Sequence, residues 1–269
     1  MDKALFTLMT GANRSLQAQM VYANNLANIN TVGFRGDLLV ATRLVDGEAL
    51  MNGAEKDDKK AGVQKEKEGK RNNGGELESV IPVDIRKTDF SFGQIEQTGN
   101  GLDVAITGPG FIAIQGADRK EAYTRAGDFQ VNANGLLTTG RGELVRGNGG
   151  PISIPPAEKI SIGIDGTISI QVLGQSAATL VQIDRIKLVN PDTDKLVKGG
   201  DGLFRTEKGR RARADPDVQL RTGFVERSNV SAVSMLTKII ASARQFEMQV
   251  KTMKTVEENS ESSARIMQG

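Results

Sequence analysis

The candidates for chemistry in this 269-residue chain are mainly carboxylates and lysines, because the sequence contains neither cysteine nor histidine. Without a thiol or an imidazole, serine triads, zinc proteases and thiol enzymes are excluded. The Asp and Glu residues of the central region are scattered among predicted turns, and no two have a spacing that favours shared acid–base work. The sequence therefore predicts no catalytic residue, no metal ligand and no cofactor, and we expect the chain not to be an enzyme.

A nucleic-acid or phosphate site is not predicted either. The net charge is only +2, so no long-range field attracts polyanions. The basic residues between positions 208 and 213 are followed directly by Asp215 and Asp217, and only two tyrosines and no tryptophan are available for base stacking. The glycine-rich stretch at 147–151 lacks the GK[ST] ending of a phosphate loop and is typical of a turn. We expect neither nucleic acid nor a small-molecule substrate as a partner.

No segment approaches the roughly 20 consecutive apolar residues that a membrane-spanning helix needs. The first 30 residues also lack the basic start, apolar block and small-residue cleavage site of a secretory signal. We therefore expect no membrane insertion. If the protein leaves the cytoplasm, we expect a route that needs no cleaved leader.

Both ends of the chain carry an apolar stripe with the 3.5-residue period of helices that supercoil against other helices. The first stripe has one polar interruption and comprises Leu5, Met9, Ala12, Leu16, Gln19, Ala23 and Leu26. The second stripe comprises Ala232, Leu236, Ile239, Ala243, Phe246, Val250 and Met253. The pattern predicts one helix from about Asp2 or Lys3 to near Asn28, and another that begins at Ser228 or Ser231, residues of a type that caps helices.

Two arrangements would bury these stripes. They could form the two arms of a hairpin within one molecule, and the periodicity alone does not decide against this. Long matched stripes at both ends, with no other segment to cover them, favour packing between molecules. On that interpretation, both ends are mobile in the free subunit and ordered in a polymer.

Between the stripes, alternating apolar and polar residues predict an antiparallel β domain. Residues 102–106 and 111–114 are predicted strands joined by a Gly-Pro-Gly turn. The dipeptides Asn134-Gly135 and Asp165-Gly166 each separate two predicted strands, as in β-hairpins. Residues 180–189 are predicted to form one long strand. Turn signals about every 8–12 residues favour a sandwich or a barrel.

The composition between Ala49 and Glu76 shifts to interleaved acidic and basic residues with almost no apolar ones. Such a tract cannot bury enough surface to offset its ordering entropy, so a flexible connector is favoured over a basic arm for nucleic acid. The sequence thus predicts an α+β fold in which an antiparallel, sandwich- or barrel-like β domain is flanked by coiled-coil-forming helices. The predicted parts are an N-terminal assembly helix (1–34), a linker with the charged tract (35–80), the β domain (81–227) and a C-terminal assembly helix that packs with the N-terminal helix region (228–269).

Several motifs resemble a known family. ANNLANINTVGFR (23–35) resembles the N-terminal signature of the bacterial flagellar rod and hook axial proteins. LDVAITGPGFIAIQ and AYTRAGDFQVNANGLL (102–115 and 122–137) resemble the β-domain core of that family, and VERSNVSAVSMLTKIIASARQFEMQ (225–249) resembles its C-terminal helix signature. Val225 stands where leucine is usual, and Val32 where proline is frequent.

Within the family, three further segments are most similar to the proximal rod subunit that adjoins the distal rod. They are GDGLFR (200–205), ADPDVQL (214–220) and FEMQVKTMKTVEEN (246–259). The resemblance covers nearly the whole chain apart from the charged tract.

The resemblance implies a structural component of the rod, the shaft that crosses the periplasm in the flagellar basal body. Members of the family are exported by the flagellar type III apparatus without a cleaved signal, and their terminal helices pack into an inner tube with the β domain outside. The implied partners are copies of this chain, other rod proteins and the export apparatus. The predicted subunit-interface residues are Leu5, Met9, Ala12, Leu16, Ala23, Asn24, Asn25, Leu26, Asn28, Gly33, Phe34, Ser228, Asn229, Val230, Leu236, Ile239, Ala243, Phe246, Val250 and Met253.

Three other interpretations remain open at this point. One is a distal rod subunit of the same family. Another is a secreted β-rich adhesin or binding module with incidental helices, which would be a monomer unaffected by loss of residues 1–28. The third is a carboxylate-dependent enzyme that cleaves peptidoglycan, which would need two acidic residues meeting in a cleft.

Overall fold

The computed structural model describes residues 2–43, 82–172, 180–207 and 209–268. The charged tract predicted between Ala49 and Glu76 lies outside these residues, and so does Lys208 of the basic stretch. The chain divides into two compact units, one formed by Met1–Leu38 with Thr88–Gly269 and the other by Leu39–Lys87. In the smaller unit the structure describes parts of two strands, which pair with each other.

Two long helices precede and follow the strands in the sequence. Helix α1 spans Asp2–Ala27 and helix α2 spans Ala232–Gln268, close to the predicted bounds. Helix α1 is rich in Ala, Leu, Met and Gln, which favour helix, and the Asn-rich segment that follows it does not. The strands are β1 (Asp37–Arg43), β2 (Pro82–Thr88), β3 (Ile95–Gln97), β4 (Val104–Thr107), β5 (Phe111–Gln115), β6 (Glu121–Thr124), β7 (Phe129–Val131), β8 (Leu137–Thr139), β9 (Leu144–Val145), β10 (Ala157–Ile162), β11 (Thr167–Val172), β12 (Leu180–Arg185), β13 (Leu188–Val189), β14 (Leu196–Lys198), β15 (Phe204–Thr206), β16 (Gln219–Thr222) and β17 (Phe224–Glu226).

The two helices pack against each other within one chain and run antiparallel. Near the end of α1, Asn25 Nδ2 lies 3.9 Å from Met235 Sδ at the start of α2. Nearer the start of α1, Ser15 Oγ donates a hydrogen bond to Gln249 Oε1 at 3.1 Å. Positions that rise along α1 therefore meet positions that fall along α2.

The strand pairs of the β domain are antiparallel, as predicted. The largest sheet has the order β14-β15-β6-β5-β9-β8-β7, with β13 beside β5. A three-stranded sheet, β10-β11-β12, and two ribbons, β16-β4 and β17-β3, complete the domain. The described strands do not close into a barrel, so the antiparallel domain is confirmed and a barrel is not found.

Both predicted hairpins are present. Strand β7 pairs with β8 around Gly135, which has φ +73°, and β10 pairs with β11 around Gly166, which has φ +83°. Glycine adopts this left-handed conformation without the steric cost that a Cβ would bring.

Two predicted strands are joined by the expected turn without forming a hairpin, and one prediction about strand continuity was wrong. Strands β4 and β5 are consecutive, but β4 pairs with β16, whereas β5 pairs with β6, β9 and β13. The segment predicted as one strand at 180–189 is two strands in different sheets. The break occurs at Ile186, whose N–H donates to Gly166 O at 2.8 Å, and Leu188 then pairs with Ile112 in the large sheet.

Strand β5 is central because both of its faces are buried. Ile112 and Ile114 point into the main apolar cluster, with 0% exposure. Phe111 and Ala113 lie in a second cluster that contains Phe204. A strand buried on both faces reads as a continuous apolar run rather than as an alternation.

Gly127 tests the close packing of this domain. A Cβ at Gly127 would lie 1.8 Å from Val104 O, and the Gly127 carbonyl accepts a hydrogen bond from Val104 N at 2.8 Å. We expect Gly127→Ala to lower the free energy of unfolding by about 1–3 kcal/mol or more, because the backbone must move apart. Urea unfolding followed by circular dichroism measures this. Gly149→Ala is the matched control, since a Cβ there meets open space. Equal midpoints for the two variants would contradict the expectation.

Candidate functional site

The buried side chains of α1 and α2 are mostly small or polar. Among the described residues, those buried on α1 are Ala12, Ser15, Val21 and Asn25, and those buried on α2 are Met235 and Ser242. Small side chains bring two helices close together, but they bury little apolar surface in doing so. A seam of this kind leaves many of the larger apolar residues of the two helices exposed.

Close approach is required at Gly11, which faces α2. A Cβ at this position would lie 2.7 Å from Gln249 Nε2, so a larger residue would displace the Gln249 side chain. Ser15, one turn further along α1, is the residue that donates to this glutamine. The seam is therefore polar as well as narrow.

Most of the large apolar side chains of α1 are exposed. Leu5, Phe6, Met9, Leu16 and Met20 are 38–64% exposed. No residue from Ser15 to Phe34 carries a charge, so this surface also lacks the ionic side chains that normally cover an exposed helix face. In a helix that packs only against the core of its own chain, the larger apolar residues face inward. Helix α1 shows the opposite distribution, because its exposed face is uncharged and carries larger apolar groups than its buried face.

The first half of α2 also has an outward apolar face. Val233, Leu236, Ile240 and Val250 are 42–73% exposed. Charged residues become frequent only beyond this region, from Lys251 onwards. Since the helices are antiparallel, the apolar part of α2 lies beside the uncharged second half of α1.

The residues predicted to contact other subunits fall into three groups in this structure. Leu5, Met9, Leu16, Ala23, Asn24, Leu236 and Val250 are exposed. Leu26, Asn28, Asn229, Val230, Ile239, Ala243, Phe246 and Met253 are partly buried. Ala12, Asn25, Gly33, Phe34 and Ser228 are buried within the chain.

Two of the predicted asparagines join the helix ends to the following backbone. The side chain of Asn25 donates from Nδ2 to Asp37 O at 2.8 Å and accepts from Asp37 N at 2.9 Å, which reproduces the pairing of a neighbouring strand. The Asn229 side chain accepts from Gly36 N at 2.8 Å and donates to Asp89 O at 3.0 Å. These amides satisfy backbone groups where the chain leaves α1 and approaches α2.

Gly33 and Phe34 seat the end of the N-terminal motif on the β domain. Gly33 has φ +67°, and a Cβ there would lie 2.2 Å from Ala126 N. Its N–H donates to Glu226 O at 2.7 Å. Phe34 is buried beneath Lys198, whose Nζ lies 4.0 Å from the ring centroid, in the range of a cation–π contact.

Lys198 also ties the segment that follows α1 to the β domain. Its Nζ donates to Arg35 O at 2.6 Å and to Asp37 Oδ1 at 3.0 Å. Burial lowers the pKa of Lys198, and the Asp37 carboxylate opposes that shift.

A buried carboxylate joins the segments that follow α1 and precede α2 to the β domain. Glu226 Oε1 lies 2.6 Å from Arg35 Nη2, and Glu226 Oε2 lies 2.6 Å from Arg125 Nε. The three side chains are 0–3% exposed. Gly93 N donates to the same Oε1 at 2.8 Å, so both carboxylate oxygens are occupied. We call Arg35, Arg125 and Glu226 the junction cluster.

Arg125 is further fixed by backbone carbonyls of the β domain. Its Nη1 donates to Gly110 O at 2.7 Å and to Gly108 O at 3.0 Å, and its Nη2 donates to Gly108 O at 3.0 Å. Burial lowers the pKa of the Arg125 guanidinium, and the Glu226 carboxylate counteracts that effect. The Phe92 ring lies over both guanidiniums, with its centroid 5.1 Å from Arg125 Cζ and 5.9 Å from Arg35 Cζ.

The cluster is not balanced in charge or in hydrogen bonds. Two guanidiniums share one carboxylate, and among the described residues the buried Nε and Nη1 of Arg35 have no hydrogen-bond acceptor. Sequence reasoning missed the cluster, because its members are 101 and 191 residues apart. The available signal was that each charged residue lies inside or at the end of a motif already singled out, at 23–35, 122–137 and 225–249.

Across the ranges that the structure describes, no helix is long and apolar enough to span a bilayer, and no group of acidic residues could hold a metal ion. The geometry of the exposed helix faces suits packing, and the geometry of the junction cluster suits the positioning of chain segments.

Three parts of the chain match families of flagellar axial proteins. Residues 5–35 match the family described as flagella basal body rod protein. Residues 105–170 match the flagellar hook protein FlgE/F/G D1 domain, and residues 221–266 match the C-terminal family of the flagellar basal body rod FlgEFG proteins. The fold and its two ends therefore define a protein of the flagellar axial class.

Full-length relatives narrow this class. The chain is 36% identical over 266 residues to the flagellar basal-body rod protein FlgF of Salmonella typhimurium, covering 96% of each chain. It is 36% identical over 265 residues to FlgF of Escherichia coli, again covering 96% of each. It is 32% identical over 264 residues to the rod protein FlgG of Agrobacterium fabrum, covering 95% of this chain and 96% of that one. The chain belongs to the flagellar basal-body rod protein family, and it is a structural rod subunit rather than an enzyme.

Removing the charge of Glu226 tests the junction cluster. Glu226→Gln leaves two buried guanidiniums without a counter-charge, and we expect the free energy of unfolding to fall by about 3–5 kcal/mol. Urea unfolding of the purified full-length chain measures this. Glu96→Gln is the control, because it breaks an exposed ion pair with Arg227 at 2.5 Å and should change the midpoint little. A Glu226→Gln variant as stable as the unaltered chain would contradict the expectation.

Proposed function

We propose that this subunit forms the proximal part of the flagellar rod, where its terminal helices polymerise into the periplasm-spanning shaft that transmits torque. One observation carries the proposal. Helices α1 and α2 already pair inside the chain, yet ten of their large apolar side chains stay exposed. Contact with neighbouring subunits would remove these apolar faces from water, which favours assembly.

The energetic argument favours burial of these faces in an assembly. Fully burying a Leu, Ile or Met side chain contributes about 1.5–3 kcal/mol. Among the described residues, α1 and α2 hold ten large apolar side chains that are exposed, five on each helix. Contiguous apolar surface of this kind marks an interaction site in soluble proteins.

The mechanism is mechanical. Subunits that contact one another through different faces, in a head-to-tail manner, form open helical filaments rather than closed dimers. Interdigitated side chains in such a filament deform little, so a rotation imposed at one end is passed along the shaft. The β domain takes no direct part in this packing and lies outside the helices.

The proposed partners are copies of this chain, other rod proteins and the flagellar type III export apparatus. We infer export by a route without a cleaved signal, the expectation that follows from the resemblance to the flagellar rod and hook axial proteins. In the assembled organelle the subunit lies in the rod of the basal body, in the periplasm.

A distal rod position is the second candidate. The FlgF relatives compared are 30–36% identical to this chain and the FlgG relatives 28–32%, so the two ranges overlap and the highest values belong to FlgF. This difference and the segments 200–205, 214–220 and 246–259 favour the proximal position. Imaging of purified basal bodies with the subunit labelled distinguishes the two, because a label in the outer part of the rod would assign the chain to the distal segment.

Charged substitutions on the exposed helix faces test assembly separately from folding. Met9 and Leu236 are 57% and 49% exposed, so Met9→Asp and Leu236→Asp should leave the unfolding midpoint of the monomer nearly unchanged. In an assembled rod each would bury a charge in an apolar contact at a cost of several kcal/mol. We expect at least a tenfold loss of incorporation into basal bodies, measured by quantitative immunoblotting, and loss of swimming.

Ile164→Asp is the matched control, because Ile164 is an exposed apolar residue in the turn between β10 and β11. This variant should assemble normally. Phe246→Asp differs from both, since Phe246 is partly buried, and it should lower the stability of the monomer as well as assembly. Normal swimming by cells that carry Met9→Asp and Leu236→Asp together would exclude these faces as subunit contacts.

A further inference from the structure

We infer that Arg35, Arg125 and Glu226 act as positioning residues that fix the orientation of the α1–α2 pair relative to the β domain, and that they contribute orientation rather than net stability. The inference rests on the proposed function only where orientation is said to matter for the rod. Its structural part concerns the monomer alone.

The cluster lies where three parts of the chain converge. Arg35 follows the turn that ends α1, Glu226 ends β17 shortly before α2, and Arg125 follows β6 in the large sheet. The Gly33 N–H to Glu226 O bond and the Gly36 N–H to Asn229 Oδ1 bond connect the two helix-proximal segments to each other. Arg125 adds the connection to the β domain, through its bond to Glu226 and its bonds to the carbonyls of Gly108 and Gly110.

The bonds in this cluster are directional. Charge-assisted hydrogen bonds to a planar guanidinium require both the distance and the plane of the partner to be correct. With both oxygens of Glu226 engaged, a rotation of the helix pair would break a bond at Arg35, Arg125 or Gly93. Apolar contacts are not directional in this way, so they tolerate such a rotation at little cost.

The composition of the junction cluster does not favour a large contribution to the free energy of unfolding. It carries one uncompensated positive charge, and two nitrogen atoms of Arg35 lack acceptors among the described residues. Buried ion clusters of this kind are often replaced by apolar residues with equal or greater stability. An apolar replacement does not fix the angle between the α1–α2 pair and the β domain.

The helix length makes that angle matter. Helix α1 has 26 residues and is about 39 Å long at ~1.5 Å per residue. A tilt of about 10° at the junction would move its far end by about 7 Å, which is more than one helical turn. The exposed faces that carry Leu5 and Met9 at one end and Leu236 at the other would then no longer meet their neighbours in register.

The test replaces the whole cluster with apolar residues in the full-length chain, as Arg35→Met, Arg125→Met and Glu226→Leu together. The chain has no cysteine, so spin labels at Asn13→Cys on α1 and Ile164→Cys in the β domain report a single distance. We expect an unfolding midpoint at or above that of the labelled parent and a distance distribution at least twice as wide. A label pair inside the β domain, Ile164→Cys with Val197→Cys, is the control and should keep its width.

A second variant retains the charge and removes the geometry. Arg125→Lys keeps a cation near Glu226 but lacks the fork that reaches the Gly108 and Gly110 carbonyls. We expect it to widen the same distribution. In cells, the triple variant should enter the basal body but reduce swimming speed at least twofold.

Several outcomes would overturn the inference. A triple variant that fails to fold or unfolds earlier than the parent assigns the cluster to stability. An unchanged distance distribution in both variants removes the orienting role. Swimming at the parental speed removes its importance for the rod, while the proposed function itself is decided separately by the Met9→Asp and Leu236→Asp variants, in which the cluster is intact.

Discussion

The buried carboxylate of Glu226, held between the guanidiniums of Arg35 and Arg125 at 2.6 Å each, is the contact on which the rest of the arrangement depends. The segments that leave α1 and enter α2 meet at this point, and the same carboxylate connects them to the β domain. A charged group in a dry environment is costly unless its partners are in place, so the cluster permits few alternative geometries. Under the proposed function, this junction sets the orientation of the helix faces that would contact neighbouring subunits.

The helix pair separates contacts within the chain from surfaces left for neighbours. Small and polar residues such as Ser15 and Ser242 lie between the helices, while larger residues such as Met20 and Ile240 remain outside. If the large apolar groups filled the inner seam, the outer faces would have little left to bury in a polymer. The polar inner seam thus leaves the greater part of the apolar driving force for association.

The sequence predicted the elements that depend on local residue patterns. It did not predict the contacts between segments that are distant in the chain. The apolar period predicted both helices, and Asn134-Gly135 and Asp165-Gly166 predicted two hairpins, because turn chemistry is local. The partner of β4 was not predictable, since β16 lies more than 100 residues further on. The face of α1 that packs against α2 was also not predicted. Its residues Gly11, Ser15 and Asn25 are not hydrophobic, so they produce no apolar periodicity in the sequence. The junction cluster needs three charged residues from three motifs, and nothing in a single sequence pairs them.

The motif at 23–35 was predicted to contact other subunits. In this structure several of its residues instead make hydrogen bonds within the chain. Its asparagines and Gly33 are small and polar, which suits either a subunit contact or a tight turn. The structure uses Asn25 and Gly33 for the turn, through hydrogen bonds to Asp37 and Glu226, while Asn24 stays exposed beside the outer face of α1. An element that both fixes the exit of α1 and borders its assembly face constrains the two together, so a change in this motif alters the direction of the helix as well as its surface. Under the proposed function, this one segment therefore affects both the orientation of α1 and its contacts with neighbouring subunits.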